Sequence, residues 1–208
     1  PLRRQRQMCI RDRHLAERIN GEKQVGIIEV NISCPNVHNG GMSFGTDEKS
    51  AYEVTKAVKS VTDKPVYMNL SPNVTDIKKI AKACEDAGAD GISLINTLMG
   101  MKIDIHTRRP ILANNTGGLS GPAVKPVAVR MIHEVHEAVK LPLIGMGGVM
   151  SGEDVIEFML AGASLVALGT GLFVKPDLIL PVKQEIKEYM ERYNIEDINS
   201  IIGTAVMN

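Results

Sequence analysis

Nowhere in the 208 residues does an apolar run approach the roughly 18 that a membrane helix needs, and the N-terminus lacks the apolar core of a signal peptide. Both absences point to a soluble, unexported protein, and a cytoplasmic location is expected. Cysteine is scarce. Cys9, Cys34 and Cys84 are too few and too scattered for a disulfide framework, and no CxxC pair suggests a metal site or a redox dithiol. An excess of either charge is missing as well: the 24 basic and 24 acidic side chains cancel. That removes the global electrostatic footprint expected of a protein that binds nucleic acid or an anionic membrane. No low-complexity tract interrupts the chain, and its 44% apolar content is enough for one sizeable core.

The arginine-rich start, PLRRQRQMCIRDR over Pro1–Arg13, differs from the rest of the chain, which favours lysine and mixes its charges. It has neither amphipathic spacing nor an initiating methionine, so a sequence-assembly scar or tail is expected over residues 1–13, with the folded domain over 14–208.

From His14 onward, short apolar runs alternate with longer segments of helical period, the pattern of βα units around a parallel sheet. Strands are expected at Ile27–Ile32, Val66–Leu70, Gly91–Ile95, Leu143–Gly145 and Ser164–Leu168. Helices are expected at Asp47–Ser60, Asp76–Ala87, Lys125–Val139, Gly152–Leu160 and about Asp177–Tyr193. Ser151 with Asp154 can form a capping box, and Pro126 suits a first helical turn. The segments ACEDAGADGISLI and FMLAGASLVAL repeat one layout: a helix end, an Ala-Gly-Ala turn with Gly88 or Gly162 as the cap, then a strand. Five strands do not close a barrel of eight. The chain is therefore either an open doubly wound sheet or a barrel without its first strands.

In a parallel β/α protein the residues just beyond each strand carry the chemistry. Here these are Ser33-Cys34-Pro35-Asn36, Asn96-Thr97, Met146-Gly147-Gly148 and Gly169-Thr170-Gly171. Glycine-rich turns after two consecutive strands suit a phosphate, because backbone N–H groups can approach its oxygens. Cys84, inside an expected helix, reads as a small buried hydrophobe. Cys34 lies on a strand-end loop, where a thiol can work as an acid/base group. Asn31, Asn36 and Asn96 share that rim and offer uncharged donors and acceptors suited to a planar ring of amide and carbonyl groups.

The strings NISCPNV, LSPNV, LINTL, TGGLSGPA, IGMGGV and GTGLF, in this order, resemble the dihydroorotate dehydrogenase family, and more closely its cytosolic, cysteine-type branch. The resemblance implies the C-terminal part, about five strands, of an FMN-bearing (β/α)₈ TIM barrel that oxidises dihydroorotate to orotate in pyrimidine synthesis. It implies Cys34 as the catalytic base, with Asn31, Asn36, Asn96 and Thr97 on the substrate. Asn31, Asn69, Ile95, Gly121, Gly147, Gly148, Gly169 and Thr170 would line FMN, the last four around its phosphate. LSPNV and NTLMGM resemble the NAD-linked form, a homodimer that passes electrons to a partner subunit carrying FAD and an iron–sulfur cluster. Asn69 departs from the pattern, for the family has a lysine there, beside the flavin. The family's first barrel strands would precede His14, so an N-terminally truncated chain is expected. Two other functions fit the same residues: a dihydropyrimidine dehydrogenase-like flavoenzyme with a similar Ser-Cys-Pro loop, and a non-catalytic barrel fragment.

Overall fold

The computed structural model describes residues 12–32 and 44–207. Helix α1, residues 12–20, leads into strand β1, Ile28–Asn31. Four βα connections follow the same plan. Helix α2 (Glu48–Lys59) precedes β2 (Val66–Asn69), and α3 (Ile77–Asp86) precedes β3 (Gly91–Leu94). An excursion of four short strands comes next: β4 (Leu98–Gly100), β5 (Ile103–Asp104), β6 (Arg109–Pro110) and β7 (Gly117–Leu119). Then come α4 (Lys125–Ala138), β8 (Leu143–Met146), α5 (Gly152–Leu160), β9 (Leu165–Ala167), the single turn α6 (Gly171–Val174) and α7 (Ile179–Tyr193).

The five long-range strands pair in parallel, in the order β1-β2-β3-β8-β9. This is the order of the chain, with no reversal. A doubly wound sheet needs a reversal, where the helices switch from one face to the other. Among the described residues, helices α2 to α5 cover the sheet on one side. Ile28, Val66, Met68, Ile92, Leu94 and Leu143 are buried on the helix-facing side, against α2 to α5. Of the alternate positions, which strand geometry turns to the opposite face, Asn69 and Ser93 are buried at the centre, while the rest are more open: Glu29 and Asn31 are exposed, Tyr67, Ile144 and Met146 are half-buried, and Leu165 is 60% exposed. A sheet wound in chain order, with helices on one face only, is an arc of a β/α barrel. The open doubly wound alternative is excluded.

Local sequence explains most of the elements. Asp47 caps α2 by accepting the Ser50 N–H at 2.8 Å, and Asp76 caps α3 by accepting the Lys78 N–H. The Ser151/Asp154 capping box starts α5 as expected, and Pro126 lies in the first turn of α4. The two Ala-Gly-Ala turns close identically. In α3, Gly88 N–H donates to Glu85 O and Ala89 N–H to Cys84 O; in α5, Gly162 N–H donates to Met159 O and Ala163 N–H to Phe158 O. These pairs form the Schellman arrangement, and φ is +92° at Gly88 and +120° at Gly162. The strand ends differ from expectation by a residue or so. The hairpins β4–β7 and β5–β6 carry no periodic signal, because strands of two or three residues are too short to show one. Helix α1 includes residues 12 and 13, on the far side of the boundary expected at 14, and buries Ala16.

Candidate functional site

Strand register brings the polar side chains together. Asn31 pairs with Asn69, and Asn69 with Ser93, so all three lie in one row on the open face of the sheet. Glu29 occupies the row below, opposite Tyr67, which pairs with Gly91. A Cβ at Gly91 would fall within 2.2 Å of the Tyr67 ring, so this glycine makes room for that ring on the inner face.

Asn69 is the hub of a hydrogen-bonded chain. Its Nδ2 donates to Glu29 Oε1 and to Ser93 Oγ, both at 3.1 Å, and Ser93 Oγ in turn donates to the same Glu29 oxygen. On its other side, Asn69 Oδ1 accepts from Asn96 Nδ2 at 2.8 Å. Asn96 Oδ1 accepts the Thr97 N–H at 2.7 Å, and Thr97 O accepts from Asn73 Nδ2 at 3.0 Å. Asn69 and Ser93 are buried, at 5% and 0% exposure, so the centre of this chain is held away from competing water. The chain fixes which way the Asn96 amide points, while leaving donor and acceptor capacity on the rim.

A second group collects the glycines. Gly121, Gly147 and Gly148 all have positive φ, at +94°, +129° and +82°. The Gly147–Gly148 turn packs on the loop before α4: a Cβ at Gly148 would lie 2.6 Å from Gly121 O and 3.0 Å from Lys125 Cβ. At Gly147 a Cβ would meet Ala128 at 3.1 Å and Ile95 at 3.4 Å. These two glycines therefore permit close backbone packing. Gly121 and Gly169 differ, since a Cβ at either would meet nothing within 4 Å. Open space beside bare backbone, flanked by the Thr170–Ser120 hydroxyl pair at 2.9 Å, has the shape and donors a phosphate group needs. Ile95, 3% exposed, links the two groups: its N–H donates to Met146 O, one residue before Gly147.

Of the residues expected at the site, Asn69, Asn96 and Thr97 form the amide chain, Asn31 lies in the same sheet row, and Ile95, Gly121, Gly147 and Gly148 cluster beside them. Gly169 and Thr170 join this second group through Ser120. Cys34 and Asn36 lie outside the described residues. Glu29, Ser93 and Ser120 are hydrogen-bonded neighbours of these residues that motif reading missed. Glu29 was within reach, because strand alternation puts it on the same face as Asn31, whereas Ser93 is placed beside Asn69 only by the strand register. Cys84 is fully buried and its pKa is pushed up to about 11 by burial, against a smaller opposing hydrogen bond from Thr55. It is a buried residue of the core, as expected. Among the described residues no helix is long and apolar enough to cross a membrane.

The family model for dihydroorotate dehydrogenase matches residues 7–190. The chain is 57% identical over 189 residues to the dihydroorotate dehydrogenase B (NAD(+)) catalytic subunit of Geobacter sp. (strain M21), covering 91% of this chain and 62% of that protein. The protein of the same description from Alkaliphilus oremlandii (strain OhILAs) is 59% identical over 183 residues, covering 88% and 61%. The one from Bacillus pumilus (strain SAFR-032) is 56% identical over 191 residues, covering 92% and 62%. The chain thus spans about three-fifths of the length of these curated relatives. The crystal structure of DHODH in complex with ferulenol from Eimeria tenella superposes with a TM-score of 0.77 at 21% identity, over 92% of this chain and 56% of that one. That likeness is one of fold, and it matches the barrel arc.

Proposed function

Because this chain belongs to the dihydroorotate dehydrogenase family, we propose that it carries the substrate- and flavin-facing arc of an enzyme that oxidises (S)-dihydroorotate to orotate. Its electrons would pass to FMN and on to NAD through a partner subunit. The observation that carries this reading is the placement of two different surfaces side by side at the strand ends: an ordered row of neutral amides, and an open backbone cradle of glycines.

Each surface suits one component. The amides of Asn31, Asn36 and Asn96, with Thr97, would hold the orotate ring, whose edge alternates N–H and C=O groups. Gly121, Gly147, Gly148, Gly169 and Thr170 would hold FMN, with the backbone N–H groups of the last four around its phosphate. Bound there, FMN supplies a two-electron acceptor for hydride. Cys34, three residues after the last residue of β1 in the sequence, would take the proton from the carbon next to the ring carbonyl as hydride leaves the neighbouring carbon, and the C–C bond between them becomes double.

Asn69 has a distinct role in this reading. The family lysine would put a cation near the flavin, whereas Asn69 places a neutral amide against the Glu29 carboxylate. Negative charge on reduced flavin is then less stabilised, and the flavin of this protein is a weaker oxidant than the family pattern implies. The partner subunit would carry FAD and an iron–sulfur cluster, the catalytic chain would be a homodimer, and the compartment would be the cytoplasm. Those expectations rest on the likeness to the NAD-linked catalytic subunits.

The test is Cys34→Ala, followed by stopped-flow bleaching of the flavin with dihydroorotate. Retained FMN with reduction slowed about 10²–10⁴-fold is expected, the usual contribution of a positioned base. An unchanged rate would remove Cys34 from the mechanism. Faster turnover of dihydrouracil than of dihydroorotate by the unsubstituted protein would replace the substrate.

A further inference from the structure

A lysine beside a phosphate cradle is ordinarily read as a phosphate ligand, but Lys125 is committed elsewhere. It is the first residue of α4, four residues after Gly121, and its backbone would be 3.1 Å from a Cβ on Gly148. Its Nζ lies 2.6 Å from Asp154 Oδ1 and 2.6 Å from Glu157 Oε2, both on α5. Two of its three N–H groups therefore face carboxylates. Asp154 is itself bound on the other side, where Oδ2 accepts the N–H groups of Met150 at 2.7 Å and Ser151 at 3.1 Å. One unbroken line of charge-assisted bonds thus runs from the start of α4 to the segment two residues beyond Gly148.

We infer that Lys125 is a positioning residue for the cofactor phosphate, acting through Asp154 to hold the Gly121 loop and the Gly147–Gly148 turn at a fixed separation. The inference rests on the reading of these glycines as a phosphate cradle. Backbone N–H groups are useful to an anion only when they converge on it, and hydrogen bonds weaken steeply with a misplacement of a few tenths of an ångström. Gly121 and Gly148 themselves have no side chains with which to tie the two loops across their contact. The staple is partly shielded, with the Lys125 side chain 27% and the Asp154 side chain 13% exposed. It is therefore less screened than a surface pair.

The experiment compares FMN with riboflavin, which lacks the phosphate, by quenching of flavin fluorescence. Lys125→Met should weaken FMN roughly three- to tenfold, within the range of one charge-assisted interaction. Riboflavin affinity should hold within twofold. Lys125→Arg should restore the FMN preference, because a guanidinium can bridge the same carboxylates. Asp154→Asn distinguishes positioning from direct contact: it should weaken FMN as Lys125→Met does, whereas a lysine that binds phosphate directly would be released and would tighten it. An unchanged FMN-to-riboflavin ratio in Lys125→Met, or tighter FMN in Asp154→Asn, overturns the inference alone. If the unsubstituted protein shows no preference for FMN over riboflavin, the cradle reading falls and the inference falls with it.

Discussion

Gly148→Val should damage the cradle and the fold together, and the two effects can be sized separately. The residue has φ of +82°, a conformation that costs an L-residue about 1–2 kcal/mol, and more when the side chain is β-branched. Its Cβ would lie 2.6 Å from Gly121 O, well inside contact distance, so one loop must move by several tenths of an ångström. Forced repacking of this kind costs about 1–3 kcal/mol. Together these predict a loss of about 2–5 kcal/mol, or roughly 4–20 °C in Tm for a chain of this length. Displacing the turn also misaligns two or more N–H donors to a charged group, each worth about 1.5–3 kcal/mol, so FMN should bind at least about 100-fold more weakly. Gly169→Ala is the control. Its Cβ meets nothing within 4 Å and its φ lies outside the positive range, so stability should change by less than about 0.5 kcal/mol while FMN affinity still falls. Thermal melts and flavin titrations on both variants separate the cases. A Gly148→Val protein with unchanged Tm and full flavin would refute the steric argument, and a Gly169→Ala protein that binds FMN normally would show that the phosphate is not beside it.

Three further outcomes are expected. Asn69→Lys should raise the flavin reduction potential and speed its reduction, less than a free cation would because Glu29 Oε1 lies 3.1 Å from the Asn69 amide nitrogen and would pair with the new ammonium. Adding Glu29→Gln should enlarge the rise, and a fall in potential measured by dye equilibration would contradict the argument. Burial pushes the Asp154 carboxyl up, but the Lys125 ammonium and the Met150 N–H, with the Ser151 bond, outweigh it and hold the pKa below 3.8. Its contribution to stability is thus fully present above pH 3.8 and is lost as the pH falls through the lower folded value. Urea melts at pH 7 and at about pH 2.5 should show a smaller difference in Lys125→Met than in the parent, and an equal difference would show that the pair is not coupled. Cys84, with a pKa of about 11 and no exposure, should resist thiol reagents in the folded protein and react after denaturation. Fast labelling of Cys84 without unfolding would place it in a mobile region.

What the sequence by itself determined is everything governed by short range. The five central strands, the helices α2 to α5 and α7, the Ser151/Asp154 box and the paired glycine caps all depend on residues within about one helical turn of each other. The motifs that mark the family were equally legible, because each is a contiguous string following a strand. Tertiary structure decided which of those residues meet. Asn69 is 40 residues from Glu29, 24 from Ser93 and 27 from Asn96, and only the parallel register of β1, β2 and β3 places them within hydrogen-bonding distance. The same holds for the glycines: the sequence shows four alike, yet the packing of the Gly147–Gly148 turn on the Gly121 loop makes two of them steric necessities and leaves Gly121 and Gly169 beside open space. Lys125 looks like an ordinary surface charge and Asp154 like a helix cap alone until α4 and α5 lie side by side and join them across 29 residues. A side chain's type and its strand or helix are local properties. Its partner is set by how elements distant in sequence stack, and at this site the partners determine what each group can do.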